Sequence, residues 1–335
     1  MSASAGLQVL GSVFHGKYCV TLPVPSSTPE LPNSIIIVTG ANGGLGFEAS
    51  KHLSRLGVAK LIMAVRSLEK GEEAKREILK STGRPETSIE VWDLDMESNT
   101  SISAFADRAA NLPRLDGVLA NAGIMTSIFT LSSGNEKSFN INVVATFFLF
   151  LLLLPKMRES EKKTGNACRF SIPNSALHHL APLAELQEEE NGSIIDRLND
   201  PAISNMTGRY NLTKFLVVCM VREFAKKCSA SEKGGCIINT PNPSFCRSNL
   251  ARDERPAGFK LFQAAMARTA EEGSRVLVHG VLAGSETNGE YLANCKIESP
   301  SSHITSDWGQ EVQGRFFKEL LDKLEKLRPG ISLVI

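Results

Sequence analysis

Charge of one sign is what this chain most conspicuously lacks. Its 335 residues carry 37 Lys and Arg against 36 Asp and Glu. A near-neutral balance gives no electrostatic grip on nucleic acid or on an anionic membrane, so neither is an expected partner. Long apolar runs are missing too. The longest, Phe147 to Leu154, stops at Pro155, whereas a bilayer span needs about 20 residues. No basic stretch followed by an apolar run opens the chain, so no signal peptide is expected. The seven cysteines are odd in number and scattered, and none form C-x-x-C. That usage fits reduced thiols and a cytoplasmic protein. The N-x-S/T sequons at Asn99, Asn191, Asn205 and Asn211 then carry no meaning. There is no internal repeat. Aromatic residues make up 6%, with three tyrosines. With 42% hydrophobic residues, the chain builds one large α/β domain or two small ones.

What is present is organised around Thr39-Gly40-Ala41-Asn42-Gly43-Gly44-Leu45-Gly46. Before it runs Ile35-Ile36-Ile37-Val38, the apolar β-branched pattern of a strand buried on both faces. After it, Phe47, Ala49, Leu53 and Leu56 fall on one side of a helix and Lys51 and Arg55 on the other. Strand, glycine turn and helix form the context of a dinucleotide-binding loop. Glycines at 40, 44 and 46 let backbone approach a pyrophosphate, and the helix N-terminus offers it unpaired N–H groups. An ordinary glycine-rich βα turn is the plain alternative.

Strand and helix then alternate. Strands are expected at Lys60–Val65, Ser88–Trp92, Leu115–Ala120, Cys168–Ile172 and Gly235–Asn239. Helices are expected at Glu69–Lys80, Ser101–Ala110, Glu136–Arg158, Thr207–Cys228 and Gln310–Leu327. This order implies a Rossmann-type doubly wound parallel sheet with its ligand at the carboxyl ends of the strands. Residues 1–33 read as an N-terminal arm, weakly amphipathic over Gly6–Phe14 and then held extended by Pro23, Pro25, Pro29 and Pro32. Residues 34–335 read as one catalytic domain. Segments 177–206 and 241–270 break the alternation and are taken as a substrate cap.

Cofactor choice is expected at the end of the second strand. A carboxylate there would select NAD. The chain offers Arg66 and Lys70 instead, and a guanidinium pairs with a 2′-phosphate, which points to NADP(H); Arg66 could also simply cap a strand end. Asp95 follows the third strand, as an adenine contact or a helix N-terminal acid. Asn121-Ala122-Gly123 ends the fourth.

Tyr210 and Lys214 are four residues apart in a helical stretch, hence on one face. A cation about 4 Å from a phenol, at an effective dielectric of about 20, favours phenolate by up to about 4 kcal/mol. A fall of about two to three units in the tyrosine pKa is therefore expected. A surface helical pair is the alternative, but of the three tyrosines only Tyr210 has Lys at i+4.

Together, the glycine turn, Asn121-Ala122-Gly123, an Asn on the long helix, a Ser after the fifth strand and Tyr210/Lys214 resemble the short-chain dehydrogenase/reductase superfamily. Its retinol-dehydrogenase-like members and the reductases of fungal secondary metabolism are the nearest in pattern, from about Ser34 onward. The resemblance implies NADP(H) as cofactor and a carbonyl or alcohol as substrate. It implies Tyr210 as general acid, Lys214 as the group that lowers its pKa and holds the ribose, Ser175 on the substrate oxygen and Asn142 in a proton relay. Asn140 competes with Asn142 for that role. Thr39 and Asn121 would hold the loops around the cofactor. Backbone near Phe245 and the hydroxyl of Ser248 would meet the nicotinamide. The family often pairs through its two long central helices, so Phe147–Leu154 would serve a homodimer or a buried core.

Three departures stand out. Asn174 replaces the first of two usual serines. Pro243-Ser244 replaces Pro-Gly. And 34 residues lie between Ser175 and Tyr210, an insertion expected to wall the substrate. His178-His179 lacks further ligands at metal spacing and is read as structural or substrate-facing, with no metal expected. Phe259, Leu261, Phe262 and Met266 would line a lipophilic pocket or simply pack. The expected function is NADPH-dependent reduction of a ketone or aldehyde, or the reverse. A dehydratase, isomerase or cyclase on the same fold is the alternative, with an NADP(H)-sensing protein behind it.

Overall fold

The computed structural model describes residues 3–187, 192–247, 250 and 257–335. The acidic run Glu188-Glu189-Glu190 and Ser248 lie outside the described residues, and of Phe259 only the backbone is described.

Helix α1 (Ala3–Tyr18) precedes β1 (Ile35–Thr39), all five residues of which are buried. Then come α2 (Gly44–Arg55), β2 (Lys60–Val65), α3 (Leu68–Thr82), β3 (Ile89–Asp93), α4 (Asn99–Ala110) and β4 (Gly117–Leu119). A small hairpin, β5 (Leu131–Ser132) with β6 (Asn135–Glu136), leads into α5 (Lys137–Phe139). A π-helical turn over Asn140–Ala145 joins α5 to α6 (Thr146–Thr164). After β7 (Arg169–Ser171) come α7 (Ile194–Leu198), α8 (Arg209–Ala230), β8 (Ile237–Asn242), α9 (Ala257–Met266) and α10 (Ala270–Leu282). The chain finishes with β9 (Tyr291–Ala293), β10 (Lys296–Ile297), α11 (Ser302–Thr305) and α12 (Asp307–Leu327).

The main sheet has the order β10-β9-β8-β7-β4-β1-β2-β3, parallel except for β10. The order reverses between β1 and β4, so the two chains leaving those strands diverge and open a crevice at their carboxyl ends. All six expected strands are there, and β9 is a seventh. The sixth runs further than expected, through Pro241. That residue has no N–H, yet its carbonyl accepts from Asn174 N–H at 2.8 Å.

Helices cover both faces. On one, Leu53, Ala74, Ile78, Leu277 and Val281 close against β1 and β2. On the other, α4, α6, α8 and α12 bury a larger core. Phe224 is its centre: its ring stacks on Phe147 at 5.1 Å and meets Phe150 at 5.4 Å and Phe317 of α12 at 4.9 Å. The Phe147–Leu154 run is thus covered by its own chain. The helix continues through Pro155 to Thr164, past its expected end at Arg158. Among the described residues, one helix, Lys137–Thr164, is long and apolar enough to cross a membrane, and 89% of its apolar window lies inside the fold.

The insertion before α8 is tied down by charge. Arg209 is fully buried. It donates to Glu185 Oε2 at 2.7 Å, Ser204 Oγ at 2.8 Å and the Leu198 carbonyl at 3.1 Å. Its Nε lies 3.3 Å from Glu136 Oε2, a carboxylate that also accepts from the N–H groups of Ser138 and Phe139 at the start of α5. A guanidinium taken from water survives only with partners such as these.

Phe224→Ala removes the ring against which Phe147, Phe150 and Phe317 pack. It should cost about 3–5 kcal/mol, read as a lower midpoint in denaturant unfolding with an unchanged slope.

Candidate functional site: the crevice at the strand ends

The glycine turn takes its shape from close approach. Gly40 and Gly44 have φ of +62° and +55°. A Cβ on Gly46 would sit 2.4 Å from both Asn121 Nδ2 and the Gly40 carbonyl oxygen. Asn121 Nδ2 donates to the carbonyls of Thr39 at 3.0 Å and Gly40 at 3.4 Å, and Ala122 N–H donates to Thr39 Oγ1 at 2.9 Å. Thr39 and Asn121 therefore pin the ends of β1 and β4 together. No side chain caps α2, whose first turn follows Gly43. Asn42 and Leu45 are half-buried on the turn.

At the far side of β2, Arg66 is 62% exposed and its Nη1 lies 3.2 Å from Glu97 Oε1. Glu97 also pairs with Lys137 at 2.9 Å. Lys70 is exposed in the first turn of α3. Asp95 is half-buried; its Oδ1 accepts from Glu97 N–H at 3.0 Å, which closes a turn. An acid thus stands next to Arg66 although none precedes it in β2.

Asn142 lies in the π-helical turn, a distortion often found at functional sites. Its Oδ1 accepts from Ile124 N–H at 2.9 Å, and its Nδ2 donates to the Ile124 carbonyl at 2.9 Å and to Thr213 Oγ1 at 3.1 Å. A Cβ on Gly123 would lie 3.1 Å from its Oδ1. Asn140 faces the hairpin instead, bonded to Asn135 and Ser132. Thr213 donates to the Tyr210 carbonyl at 2.8 Å. Tyr210 and Lys214 are 7% and 8% exposed. Lys214 Nζ donates to the Pro173 carbonyl at 2.7 Å and stands 5.6 Å from the centre of the Tyr210 ring. Ser175 caps the short helical turn Ala176–Leu180, its Oγ accepting from Leu177 N–H, and it also hydrogen-bonds the Tyr210 phenol. So Asn142, Ser175, Tyr210 and Lys214 converge beyond β4 and β7.

Beyond β8, Ser244 has φ of +67°. The backbone keeps the left-handed shape a glycine would take, at a cost of about 1–2 kcal/mol. Asn242 Oδ1 accepts from Ser244 N–H at 2.9 Å and stabilises that turn. A Cβ on Gly273 would strike Cys246 Sγ at 2.2 Å and Leu45 Cδ2 at 2.9 Å. The segment around Phe245 therefore lies against the glycine turn.

The short chain dehydrogenase family model matches residues 34–171. A short chain dehydrogenase/reductase of Cryptosporiopsis sp. is 39% identical over 315 residues, 93% of this chain and 96% of the relative. The chain belongs to the short-chain dehydrogenase/reductase family. A short chain dehydrogenase of Emericella nidulans is 41% identical, over 84% of this chain and 90% of its own. A Shigella flexneri short chain dehydrogenase complexed with NADP shares the fold, with TM-score 0.57 and 23% identity over 78% of this chain and 97% of that one. The family's cofactors are NAD(P).

In this short-chain dehydrogenase/reductase the electrostatics of the pair are not as expected. Burial raises the Tyr210 phenol above its ordinary pKa, opposed by the Ser175 hydrogen bond. The expected fall fails because Lys214 faces the ring and a carbonyl, and because burial lowers its own pKa to about 8. Sequence reasoning missed one residue. Thr213, within the Tyr-x-x-x-Lys stretch itself, links Asn142 to Tyr210. Asn174 replaces a serine without vacating the site: its Nδ2 donates to Thr240 Oγ1 at 2.9 Å and its Oδ1 accepts from Ser175 N–H at 2.8 Å. His178 Nδ1 lies 2.8 Å from the Ser175 carbonyl and its Nε2 accepts from Ser301 N–H at 3.0 Å, so both ring nitrogens are engaged. Burial pushes its pKa to about 3. Leu261 and Phe262 are 78% and 40% exposed, Met266 is half-buried, and the Phe262 ring lies 5.5 Å from that of Phe245.

Lys214 yields a pH signature. Between its folded value near 8 and its ordinary 10.5 this group is more protonated in the unfolded chain, so its own contribution to stability rises with pH through that window. Buried thiols such as Cys168, Cys219 and Cys246, which burial raises, contribute in the opposite sense. Above about 10 Tyr210 acts in the opposite sense. The stability difference between wild type and Lys214→Met, measured by denaturant titration of the cofactor-free proteins, should shift by about 2 kcal/mol in favour of the wild type between pH 8 and 10.

Proposed function

We propose that the chain catalyses NADPH-dependent reduction of a ketone or aldehyde, or the reverse alcohol oxidation, on a lipophilic small molecule such as a secondary-metabolite intermediate. The convergence of Tyr210, Ser175, Lys214 and Asn142 beside the glycine turn carries this reading. The crevice fits a dinucleotide: the first turn of α2 is uncapped, and nothing stands within 4 Å of where a Cβ on Gly43, at its start, would lie. Thr39, Gly40, Asn42, Gly44, Leu45 and Gly46 would hold the pyrophosphate side. Arg66 and Lys70 would face a 2′-phosphate, with Asp95, Asn121 and Gly123 along the adenosine and ribose. Bound NADPH would supply the hydride.

The chain's own part is proton transfer and orientation. Ser175 Oγ hydrogen-bonds the substrate oxygen, and the Tyr210 hydroxyl gives up its proton to it. The phenol, raised by burial, holds its proton at neutral pH, the form a reduction requires, and the same shift makes it a weaker acid. Lys214 holds the ribose, and Asn142 keeps the segment 121–124 in register with α8. The segments 177–206 and 241–270 act as the substrate cap. Ser244 keeps a glycine-like backbone, so it lends no weight to a non-redox reaction. Seven free cysteines among the described residues suit a cytoplasmic location.

Tyr210→Phe should lower kcat by about 10²–10⁴-fold across a panel of carbonyl compounds and leave NADPH affinity, measured by fluorescence titration, unchanged. Turnover at the wild-type rate would refute the assigned acid. Arg66→Ala should weaken NADPH by about ten- to a hundredfold while sparing NADH. The ratio of kcat/KM for the two cofactors reads this directly.

A further inference from the structure

The N-terminal helix lies outside the matched family region, yet it is wired into the site. Its point of attachment is Arg268, between α9 and α10 and only 2% exposed. Arg268 Nη2 donates to the Gly16 carbonyl in the last turn of α1 at 2.5 Å and to Asn294 Oδ1 at 2.7 Å. Its Nη1 donates to the Pro243 carbonyl at 3.4 Å. Its backbone N–H donates to the Phe245 carbonyl at 2.8 Å, and its carbonyl accepts from Arg247 N–H at 3.0 Å. One residue therefore holds α1, the segment 243–247 and the 294 turn at once. These side-chain acceptors are neutral, so the guanidinium is placed by geometry rather than by a paired carboxylate.

Helix α1 fits that attachment closely. A Cβ on Gly16 would come within 3.3 Å of Arg268 Nη2 and 3.4 Å of Ser244 Oγ. Val9 and Val13 are buried on the same face. The Tyr18 hydroxyl donates to the Ala265 carbonyl at 2.8 Å, and Arg275 Nη1 donates to the Leu22 carbonyl at 2.9 Å. The segment so held includes Ser244, the one residue there in a left-handed conformation. Its neighbour Cys246 touches the space above Gly273 beside Leu45 of the glycine turn.

We infer that α1 is a working part of the active site: Arg268 is a positioning residue that clamps α1 onto the 243–247 segment, and the clamp fixes that segment in the shape that receives the nicotinamide end of the cofactor. This rests on the NADP(H) reading above. The clamp acts at one end of the crevice only, and the adenosine end near Arg66 is independent of it.

That asymmetry gives the test. Full-length protein, a variant lacking residues 1–19, Arg268→Met and their combination are titrated with NADPH and with 2′,5′-ADP, which has no nicotinamide. Each single change should raise the Kd for NADPH by about tenfold, the combination by no more than either alone, and 2′,5′-ADP should stay within about twofold. Equal losses for both ligands, no loss, or effects that add would overturn the clamp. Should Arg268→Met fail to fold, Gly16→Val disrupts the same contact from the helix side and takes its place. If the wild type binds neither nucleotide, the NADP(H) reading falls, and hydrogen exchange decides the clamp. Faster exchange at amides 244–247 with β1 unchanged would sustain it, and unaltered exchange there would overturn it.

Discussion

At the carboxyl end of β1 the chain passes so close to itself that a side chain cannot fit. The Gly46 Cα, the Gly40 carbonyl and the Asn121 amide occupy space that a single Cβ would fill. Everything at the crevice depends on that contact. It sets the angle at which α2 leaves the sheet and directs its N–H groups outward. Through Asn121 and Thr39 it also fixes β4 against β1. From β4 the constraint passes on through Ile124 to Asn142, then by Thr213 to the carbonyl of Tyr210. A glycine turn and a tyrosine far along the chain are thus parts of one hydrogen-bonded frame.

Burial, more than the nearby charge, governs the polar groups in this frame. Tyr210 and Lys214 are each driven toward their neutral forms, and His178 is held neutral with both ring nitrogens bonded. Desolvation penalises whichever form is charged, and a neighbour of opposite sign offsets it only when it points at the charge. Lys214 points at Pro173 and the ring face, so it does not offset it. The insertion follows the opposite rule. There Arg209 meets Glu185 and Glu136 directly, and the ions remain buried.

What could be read from sequence was local. Ile35–Val38 with its glycines, and Tyr210 with Lys214, announce themselves within a few residues because strand burial, backbone freedom and helical spacing are short-range properties. Lys60–Val65 has the expected bounds for the same reason. The unread parts are long-range. Tyr291–Ala293 is three residues whose strand character comes from pairing with β8. Arg268 looks like any surface arginine until Gly16, 252 positions away, is placed beside it. Ser244 advertised a lost glycine, but the Asx turn from Asn242 that preserves the backbone shape is visible only in three dimensions. The sign of the tyrosine shift was unreadable because spacing reports proximity, and burial has no signature in a four-residue window.

The core helix also bears on how the chain reaches this state. Lys137–Thr164 emerges early in synthesis, and its aromatic face meets Phe224 well before Phe316 and Phe317 of α12 exist. For that interval Phe139 and Phe224 lack the ring cover that Phe316 and Phe317 give them. A nascent chain stalled or cut short before α12 would expose those rings to other copies and to the holdases that guard such surfaces. The last helix therefore determines whether the finished chain stays clear of aggregation.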